Sequence, residues 1–346
     1  MSRPKQHHYL PAQAYLRHFS APERRGFVYQ YARGQTPVMS SVKKLAREQH
    51  LYSFVDEYGE QNVQIEEQFL ARLDEDAQPI LEKLNNGGDK VVLSTQDYGV
   101  LLEFIAFLLV RTPSFRDQMN EMSGEMQRLV TIWQARTRPT LFLEHARAAA
   151  NEAGIAVNET ELDELRQFFA SGEYDVGQKD SAWTIGLVLE IGAKSARVLQ
   201  DKSPVLLTTK NQQSFITSDH PVCRLPLPGG DIPTGLLDAS LIIPVGNSML
   251  FQLENEQSEP RPQANTRVIP IRQIRAHEAR RLNSVIIQQA ERFLFSSENN
   301  QHIQQAFDQT EPPSRFTVEA LASQDSVTIV ASSRVTPSRT KTPKKI

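Results

Sequence analysis

Cysteine is almost absent from this chain, whose 346 residues include only Cys223. One cysteine cannot form an intramolecular disulfide, and a zinc site built from several thiolates is excluded as well. Long hydrophobic runs are also missing. The longest, 99–110, contains Glu103 and falls short of the roughly 20 residues that a membrane-spanning helix needs. The first residues are polar and lack the apolar segment of a signal peptide, so we expect a cytoplasmic protein without a membrane association.

Several motifs of nucleotide binding and catalysis do not occur either. The sequence contains no G-x-x-x-x-G-K-[ST], G-x-G-x-x-G, H-E-x-x-H or G-x-S-x-G pattern. Their absence argues against a P-loop ATPase, a Rossmann dehydrogenase, a zincin and an ordinary α/β-hydrolase.

The composition is that of a globular protein, with 39% hydrophobic and 23% charged residues. The net charge is −3, but it is unevenly distributed. Five of the 38 basic residues lie in 332–346, which has no acidic residue, so 33 basic and 41 acidic residues remain and give the rest a net charge of −8. This balance argues against a broad nucleic-acid-binding surface, although a local basic groove is compatible with it.

The order of the predicted elements indicates an α+β fold, in which an N-terminal helical bundle portion packs with a C-terminal strand-rich portion containing one long helix. We expect one domain over 1–330. It would consist of a mixed segment at 1–58, a helical portion at 60–202 and a strand-rich portion at 204–330. The basic tail 332–346 is expected to be disordered.

Local patterns predict individual elements within these portions. Ser41 is a possible cap of a short helix, Ser94 starts a capping box, and Thr112-Pro113 restarts a helix. Apolar runs, helical spacing of apolar residues and turn residues predict the remaining elements. They are a strand at 27–31, a hairpin of 205–209 with 214–217, a second hairpin of 241–245 with 248–253, a helix at about 271–292, and strands at 293–295 and 326–330.

Two N-terminal segments, His7-His8-Tyr9-Leu10-Pro11 and Tyr15-Leu16-Arg17-His18-Phe19, resemble the opening signature of domain of unknown function 4238. Further segments are similar to this family in the same order. They are Ser41-Val42-Lys43-Lys44, Leu51-Tyr52, Phe104-Ile105-Ala106, Arg111-Thr112-Pro113, Thr217-Ser218-Asp219-His220-Pro221, Asn283 and Ala290-Glu291-Arg292-Phe293. The resemblance implies a bacterial or phage-linked origin, one shared domain and a phage-defence setting. It implies no reaction, because the function of the family is unknown.

The N-terminal His pair is the first candidate site. Imidazole titrates near neutral pH, so His8 is a candidate acid or base, with His7 and Tyr9 as substrate-binding neighbours. Adjacent side chains of an extended segment point to opposite sides, so only one His is expected to enter a given site. The alternative is a surface or half-buried pair without chemistry.

The segment Thr217–Pro221 is the second candidate site. It follows an apolar strand and offers Asp219 and His220 as catalytic groups and Ser218 as a substrate ligand. The alternative is a turn in which Ser218 and Asp219 bind nearby backbone groups and proline ends the strand.

Arg111 and Asn283 are the remaining candidates for substrate binding. The Arg111 guanidinium suits a phosphate or carboxylate, but it can equally complement a helix C-terminus and pair with an internal acid such as Glu103. Asn283 has apolar neighbours at helical spacing. It is either a structural clamp or a site residue.

These residues lead to two functional hypotheses and a purely structural one. The first is a hydrolase of nucleic acid or another phosphoester, nuclease-like, that would use His8, Asp219 and His220 with or without a divalent metal ion. The second is a non-catalytic sensor or binding module that recognises a phage or cellular partner. In the third, every motif is a turn, a cap or a buried pair. The sequence leaves open whether the protein is an enzyme.

Overall fold

The computed structural model describes the backbone of residues 7–9, 13–45, 47–49, 54–55, 61–62, 69–174, 176, 182–209, 213–227, 235–255, 265–313, 316–322 and 327–333. Side chains are described for 13–45, 69–174, 176, 185–209, 213–227, 235–255 and 265–313. These residues form two compact units. The first comprises the described parts of 1–115 and 185–313, and the second those of 116–184 and 314–336.

The first unit contains most of the strands. Their bounds are β1 (His7–Tyr9), β2 (Phe27–Ala32), β3 (Val38–Ser41), β4 (Arg47–Gln49), β5 (Phe54–Val55), β6 (Gln61–Asn62), β7 (Lys90–Ser94), β8 (Ser203–Thr208), β9 (Thr217–Ser218), β10 (Cys223–Arg224), β11 (Leu241–Pro244), β12 (Met249–Glu254), β13 (Thr266–Gln273) and β14 (Phe293–Ser296). Its helices are α1 (Gln13–Leu16), which continues as a 3-10 turn (Arg17–Phe19), α2 (Ala71–Asn85), α3 (Thr95–Val110), α8 (Ala276–Gln289) and α9 (Gln301–Gln309).

The second unit is mainly helical. It contains α5 (Pro139–Glu152), α6 (Glu159–Ser171) and the hairpin of β15 (Phe316–Ala322) and β16 (Val327–Ser333). Two helices have residues in both units, α4 (Pro113–Thr137) and α7 (Ala182–Leu199). Helix α6 begins with a capping box, in which Asn158 Oδ1 accepts the Glu161 N–H and Glu161 accepts the Asn158 N–H.

Two larger sheets organise the first unit. The six-stranded sheet has the order β10-β11-β12-β8-β13-β7 and is antiparallel except for the β8–β13 pair. The four-stranded sheet has the order β3-β2-β14-β9 and is antiparallel throughout. With the helices, these sheets confirm the predicted α+β class. The expectation of one domain over 1–330 stays a prediction.

Helix α8 joins the two sheets in one hydrophobic core. Its buried face, including Ala279, Leu282 and Ile286, packs against Leu207 and Leu250 of the six-stranded sheet and against residues of the four-stranded sheet. Since burial of a large aliphatic side chain contributes about 1.5–3 kcal/mol, this shared core is a main source of the unit's stability. It also fixes where the end of α8 meets β9 and β14.

Several local predictions are confirmed. The strand predicted at 27–31 is β2, the hairpin around Gly246-Asn247 is β11–β12, and β14 and β16 lie at the predicted strands. The Ser94 cap is present, since its Oγ accepts the Asp97 N–H at 2.9 Å. Helix α4 begins at Pro113, as predicted from Thr112-Pro113.

The predicted hairpin of 205–209 with 214–217 is wrong. Strand β8 pairs instead with β12 and β13, and β9 pairs with β14 in the other sheet. Strand β8 is buried on both faces, as expected of a central strand, so long-range partners satisfy both of its edges.

The helix predicted at 271–292 begins later, at Ala276, because 266–273 forms β13 between β8 and β7. The strand-rich portion contains a second helix, α9, which was not predicted; Asn300 Oδ1 caps it by accepting the His302 N–H at 2.9 Å. The helical portion includes an unpredicted strand, β7. Ser41 ends a strand and is followed by a turn rather than by the predicted helix.

Candidate functional site

The Thr217–Pro221 segment forms a tight turn at the end of β9. Ser218 Oγ accepts the His220 N–H at 3.0 Å and donates to the His220 carbonyl at 2.8 Å, so one side chain holds both backbone groups of His220. Strand β9 pairs with β14, opposite Leu294 and Phe295. The turn therefore lies beside the chain that connects α8 to β14.

Asp219 binds that connecting chain directly. Its carboxylate is buried and accepts three consecutive backbone N–H groups: from Glu291 at 3.1 Å, Arg292 at 2.8 Å and Phe293 at 3.2 Å. The Asp219 N–H donates in return to the Phe293 carbonyl at 3.1 Å. Since both carboxylate oxygens are engaged with the backbone, this geometry supports a positioning role rather than direct chemistry for Asp219.

The buried Asp219 carboxylate lies near two other charged side chains, Glu291 and Arg292. Burial, reinforced by the neighbouring Glu291 carboxylate, raises the pKa of Asp219 from 3.8 to about 6, although its backbone N–H donors and Arg292 act in the opposite direction. The Arg292 Nε lies 3.9 Å from Asp219 Oδ2. The Arg292 side chain is about half exposed, so it also presents positive charge to solvent.

His220 and Glu291 form an ion-pair contact at this turn, a dyad of an imidazole and a carboxylate. His220 Nδ1 lies 3.6 Å from Glu291 Oε1, an ion-pair distance rather than a close hydrogen bond. The side chain of His220 is 24% exposed and that of Glu291 only 10%. The imidazole therefore reaches solvent, while the carboxylate behind it is held inside.

Two further residues hold Glu291 in place. The Ser114 hydroxyl, in the first turn of α4, donates to Glu291 Oε1, the oxygen that faces His220. Burial opposes ionisation of Glu291, but the contacts with His220 and Ser114 outweigh it and lower the pKa of this carboxyl. Arg33, which directly follows β2, donates to the carbonyls of Ala290 and Glu291 and so binds the end of α8.

Arg111 directly follows the last residue of α3, and its guanidinium forms an ion pair with an acidic side chain. Its two terminal nitrogens contact the two carboxylate oxygens of Asp74 on α2, at 2.7 and 3.1 Å. The predicted pairing with an internal acid is present, with Asp74 in place of Glu103. A partly buried, bidentate pair of this kind ties the end of α3 to α2.

Asn283 lies on the buried face of α8, below the segment that leads into β9. Its Oδ1 accepts the Ile216 N–H at 3.3 Å and its Nδ2 donates to the Ser214 carbonyl at 2.9 Å. The sequence allowed Asn283 to be either a structural clamp or a site residue, and these hydrogen bonds are those of a clamp. It positions the chain just before the Thr217–Pro221 turn.

His7, His8 and Tyr9 lie in β1, which pairs with β4 opposite Gln49, Glu48 and Arg47. Their side chains lie outside the described residues. The roles suggested for them stay predictions.

The structure thus brings together Ser218, Asp219 and His220 with Glu291 and Ser114. Glu291 was part of the Ala290–Phe293 segment in the family resemblance, but nothing in the sequence pointed to its partner, because 71 residues separate it from His220. Ser114 directly follows the Thr112-Pro113 helix start and reads as an ordinary helix residue. Among residues with described side chains, no group of three or more His, Cys, Asp and Glu residues is arranged to hold a metal ion.

Comparison with protein-family models gives one match, to "Protein of unknown function (DUF4238)", over residues 6–300. The chain belongs to this family. The DUF4238 match contains every residue of the Ser114–Asp219–His220–Glu291 cluster, whereas β15 and β16 lie beyond it. No curated protein and no solved structure matches the chain. Within the described part of the chain no single helix meets the length and hydropathy of a membrane span; α3 and α4, which are separated by a bend, meet these criteria only as a pair.

Proposed function

We propose that this protein is a hydrolase of phosphoester bonds, with nucleic acid as its substrate class, and that His220 is its general acid–base residue. The observation that carries this proposal is the His220–Glu291 pair, in which Nδ1 faces a held carboxylate at 3.6 Å. A carboxylate at Nδ1 orients the ring and favours the proton on that nitrogen, which leaves Nε2 available for proton transfer.

The chemistry requires one proton to move twice. His220 Nε2 takes a proton from a water molecule as the water oxygen attacks phosphorus. The bond from phosphorus to the leaving oxygen then breaks, and the leaving oxygen receives a proton from the imidazolium. Glu291 keeps the ring oriented between these events, because its carboxylate faces Nδ1.

A phosphoester is favoured as the substrate because positive charge adjoins the dyad. Arg292 directly follows Glu291, and its side chain is 46% exposed. A guanidinium at this position suits a phosphate oxygen geometrically and electrostatically. The phage-defence setting suggested by the family resemblance, a phage-derived partner, a divalent metal ion and a cytoplasmic location stay predictions.

The test is cleavage of labelled single- and double-stranded RNA and DNA, with magnesium, with manganese and with a chelator. We expect His220→Gln to lose roughly a hundredfold or more of the wild-type rate, the typical contribution of a general acid or base. Glu291→Gln should lose activity as well, because a neutral amide no longer provides the carboxylate that orients the His220 ring. His302→Gln, which alters an exposed histidine on α9, is the matched control and should retain full activity.

Unchanged cleavage in folded His220→Gln would refute this assignment. His8→Ala belongs in the same series: a loss of cleavage with retained folding would add the N-terminal His pair to the active site.

A non-catalytic binding module is the second candidate, and one observation favours it. Asp219 and Asn283, two of the polar residues singled out in the sequence, use their side chains on backbone groups. The turn would then be a rigid recognition surface. No cleavage of any substrate by folded wild type, together with capture of a specific partner that His220→Gln weakens, would establish this alternative.

A further inference from the structure

Arg224 lies on β10, the edge strand of the six-stranded sheet, and its backbone is fixed by α8. The Arg224 N–H donates to Gln289 Oε1 at 2.9 Å, and the Arg224 carbonyl accepts from Gln289 Nε2 at 2.7 Å. The amide of Gln289 thus takes the place of a neighbouring strand at this edge. The backbone of Arg224 is therefore held both by β11, its partner strand, and by α8.

The Arg224 guanidinium is unpaired within the part of the chain whose side chains the structure describes. Its Nε is buried without a hydrogen bond, and among residues with described side chains no carboxylate lies within ion-pair distance of it. The side chain as a whole is half-buried. Its neighbour Cys223 cannot serve as a counter-ion, because burial raises the pKa of that thiol far above neutral and keeps it uncharged.

A partly buried guanidinium without a counter-ion is energetically costly and uncommon in folded proteins. A cation that is partly removed from water is normally paired, and an arginine carries five N–H donors in a fixed fork that matches the oxygens of a phosphate. A half-buried guanidinium on a fixed backbone, with no partner among the described residues, is therefore suited to an external anion.

We infer that Arg224 binds a phosphate group of the ligand, at the edge of the six-stranded sheet next to the His220 turn. The choice of a phosphate rests on the proposed function. Arg224 lies four residues after His220, and the residue between them that precedes Arg224 contacts the turn, since Cys223 Sγ lies 3.5 Å from the His220 carbonyl oxygen. Four residues span at most about 14 Å between Cα atoms, a distance that one short oligonucleotide bridges.

The experiment measures binding, independently of cleavage. A fluorescent single-stranded oligonucleotide is titrated with wild type, Arg224→Gln, Arg224→Lys and His220→Gln by anisotropy, in chelator and at several salt concentrations. We expect Arg224→Gln to weaken binding about tenfold or more and to reduce the slope of log affinity against log salt by about 1. Arg224→Lys should be intermediate, because it keeps the charge but loses the fork. Arg281→Gln, at an exposed arginine of α8, should bind as wild type.

A second measurement separates a free phosphate from a nucleic-acid phosphate. Inorganic phosphate should raise the Tm of wild type and of Arg281→Gln but not that of Arg224→Gln, because a ligand stabilises the state that binds it. A phosphate shift without oligonucleotide binding would identify a small phosphorylated ligand and retain the Arg224 site.

The outcomes distinguish this inference from the proposed function. Equal oligonucleotide affinity and equal phosphate shifts in wild type and Arg224→Gln would overturn the Arg224 site, whatever the cleavage assay shows. Arg224-dependent binding by a wild type that cleaves nothing would instead retain this site and reject the hydrolase. Since the guanidinium makes no hydrogen bond with the described residues, Arg224→Gln should fold with a wild-type circular dichroism spectrum. If it does not, Arg224→Lys carries the test.

Discussion

The Oδ2 atom of Asp219 accepts the backbone N–H of Arg292 at 2.8 Å, although 73 residues separate the two in the sequence. This hydrogen bond and its neighbours join the turn after β9 to the chain between α8 and β14. The spacing of His220 and Glu291 depends on that junction, because each is adjacent to one of its two residues.

Asp219→Asn should therefore destabilise the protein by about 2 kcal/mol near neutral pH, the cost of leaving buried donors without an acceptor. The asparagine retains one oxygen acceptor, and its NH2 group faces backbone N–H groups. Urea unfolding of wild type and variant measures the difference. Asp89→Asn, at an exposed position, is the control and should remain within roughly 0.5 kcal/mol of wild type. Equal stability of the two variants would contradict a positioning role for Asp219.

The same residue predicts a pH dependence. Its pKa is about 6 in the folded protein and 3.8 ordinarily, so folding favours its protonated form. The part of its contribution to stability that depends on protonation is fully present below pH 3.8 and is lost as the pH rises through about 6, whereas its hydrogen bonds to the backbone remain. Between about pH 4.5 and about pH 7.5, wild type should lose about 2 kcal/mol relative to Asp219→Asn.

Unfolding curves of both proteins at the two pH values provide this measurement. The lowered pKa of Glu291 acts in the opposite sense, with stability lost as the pH falls, but it is present in both proteins. A difference that widens as the pH rises would show that the pKa of Asp219 is lowered in the folded state.

Asn283→Ala should cost about 2–3 kcal/mol without any ligand present, because the Ile216 N–H and the Ser214 carbonyl lose a buried partner. Asn283→Asp should also destabilise, since its second carboxylate oxygen would face the Ser214 carbonyl. Thermal or urea unfolding checks both variants. Asn299→Ala, at an exposed position, is the control. A variant at position 283 with wild-type stability and weakened ligand binding would make Asn283 a ligand rather than a clamp.

Gly246→Ala should destabilise by about 1–3 kcal/mol, because the added Cβ would lie 1.9 Å from Asn85 Oδ1. Asn85 cannot move away freely, since its Nδ2 donates to the carbonyls of Leu81 and Val245. Gly88→Ala, where a Cβ meets nothing within 4 Å, is the matched control.

A double-mutant cycle makes the cause of this effect measurable. Asn85→Ala removes the obstructing oxygen, so the double variant should lose less stability than the sum of the two single losses. Strict additivity would show that the effect of Gly246→Ala has another origin.

The sequence by itself determined the local elements of this protein. Hydrophobic alternation located β2 and β14, Ser94 marked the start of α3, and Gly246-Asn247 joined β11 to β12. These features depend on interactions within a few residues, and local propensity is sufficient for them. The polar turn at Thr217–Pro221 was also readable, because serine and aspartate commonly bind the backbone near them.

Tertiary structure decided the rest. Strand β8 looked like half of a hairpin but pairs with β12 and β13, because its apolar faces are buried between distant elements rather than by its neighbour in the chain. The donors to Asp219 come from residues 291–293, and the carboxylate behind His220 is that of Glu291, neither of which has a local signal. Gly246 is required by the approach of Asn85 rather than by its own turn. The chemistry attributed to the site thus depends on long-range contacts, which a single sequence does not encode in any local pattern.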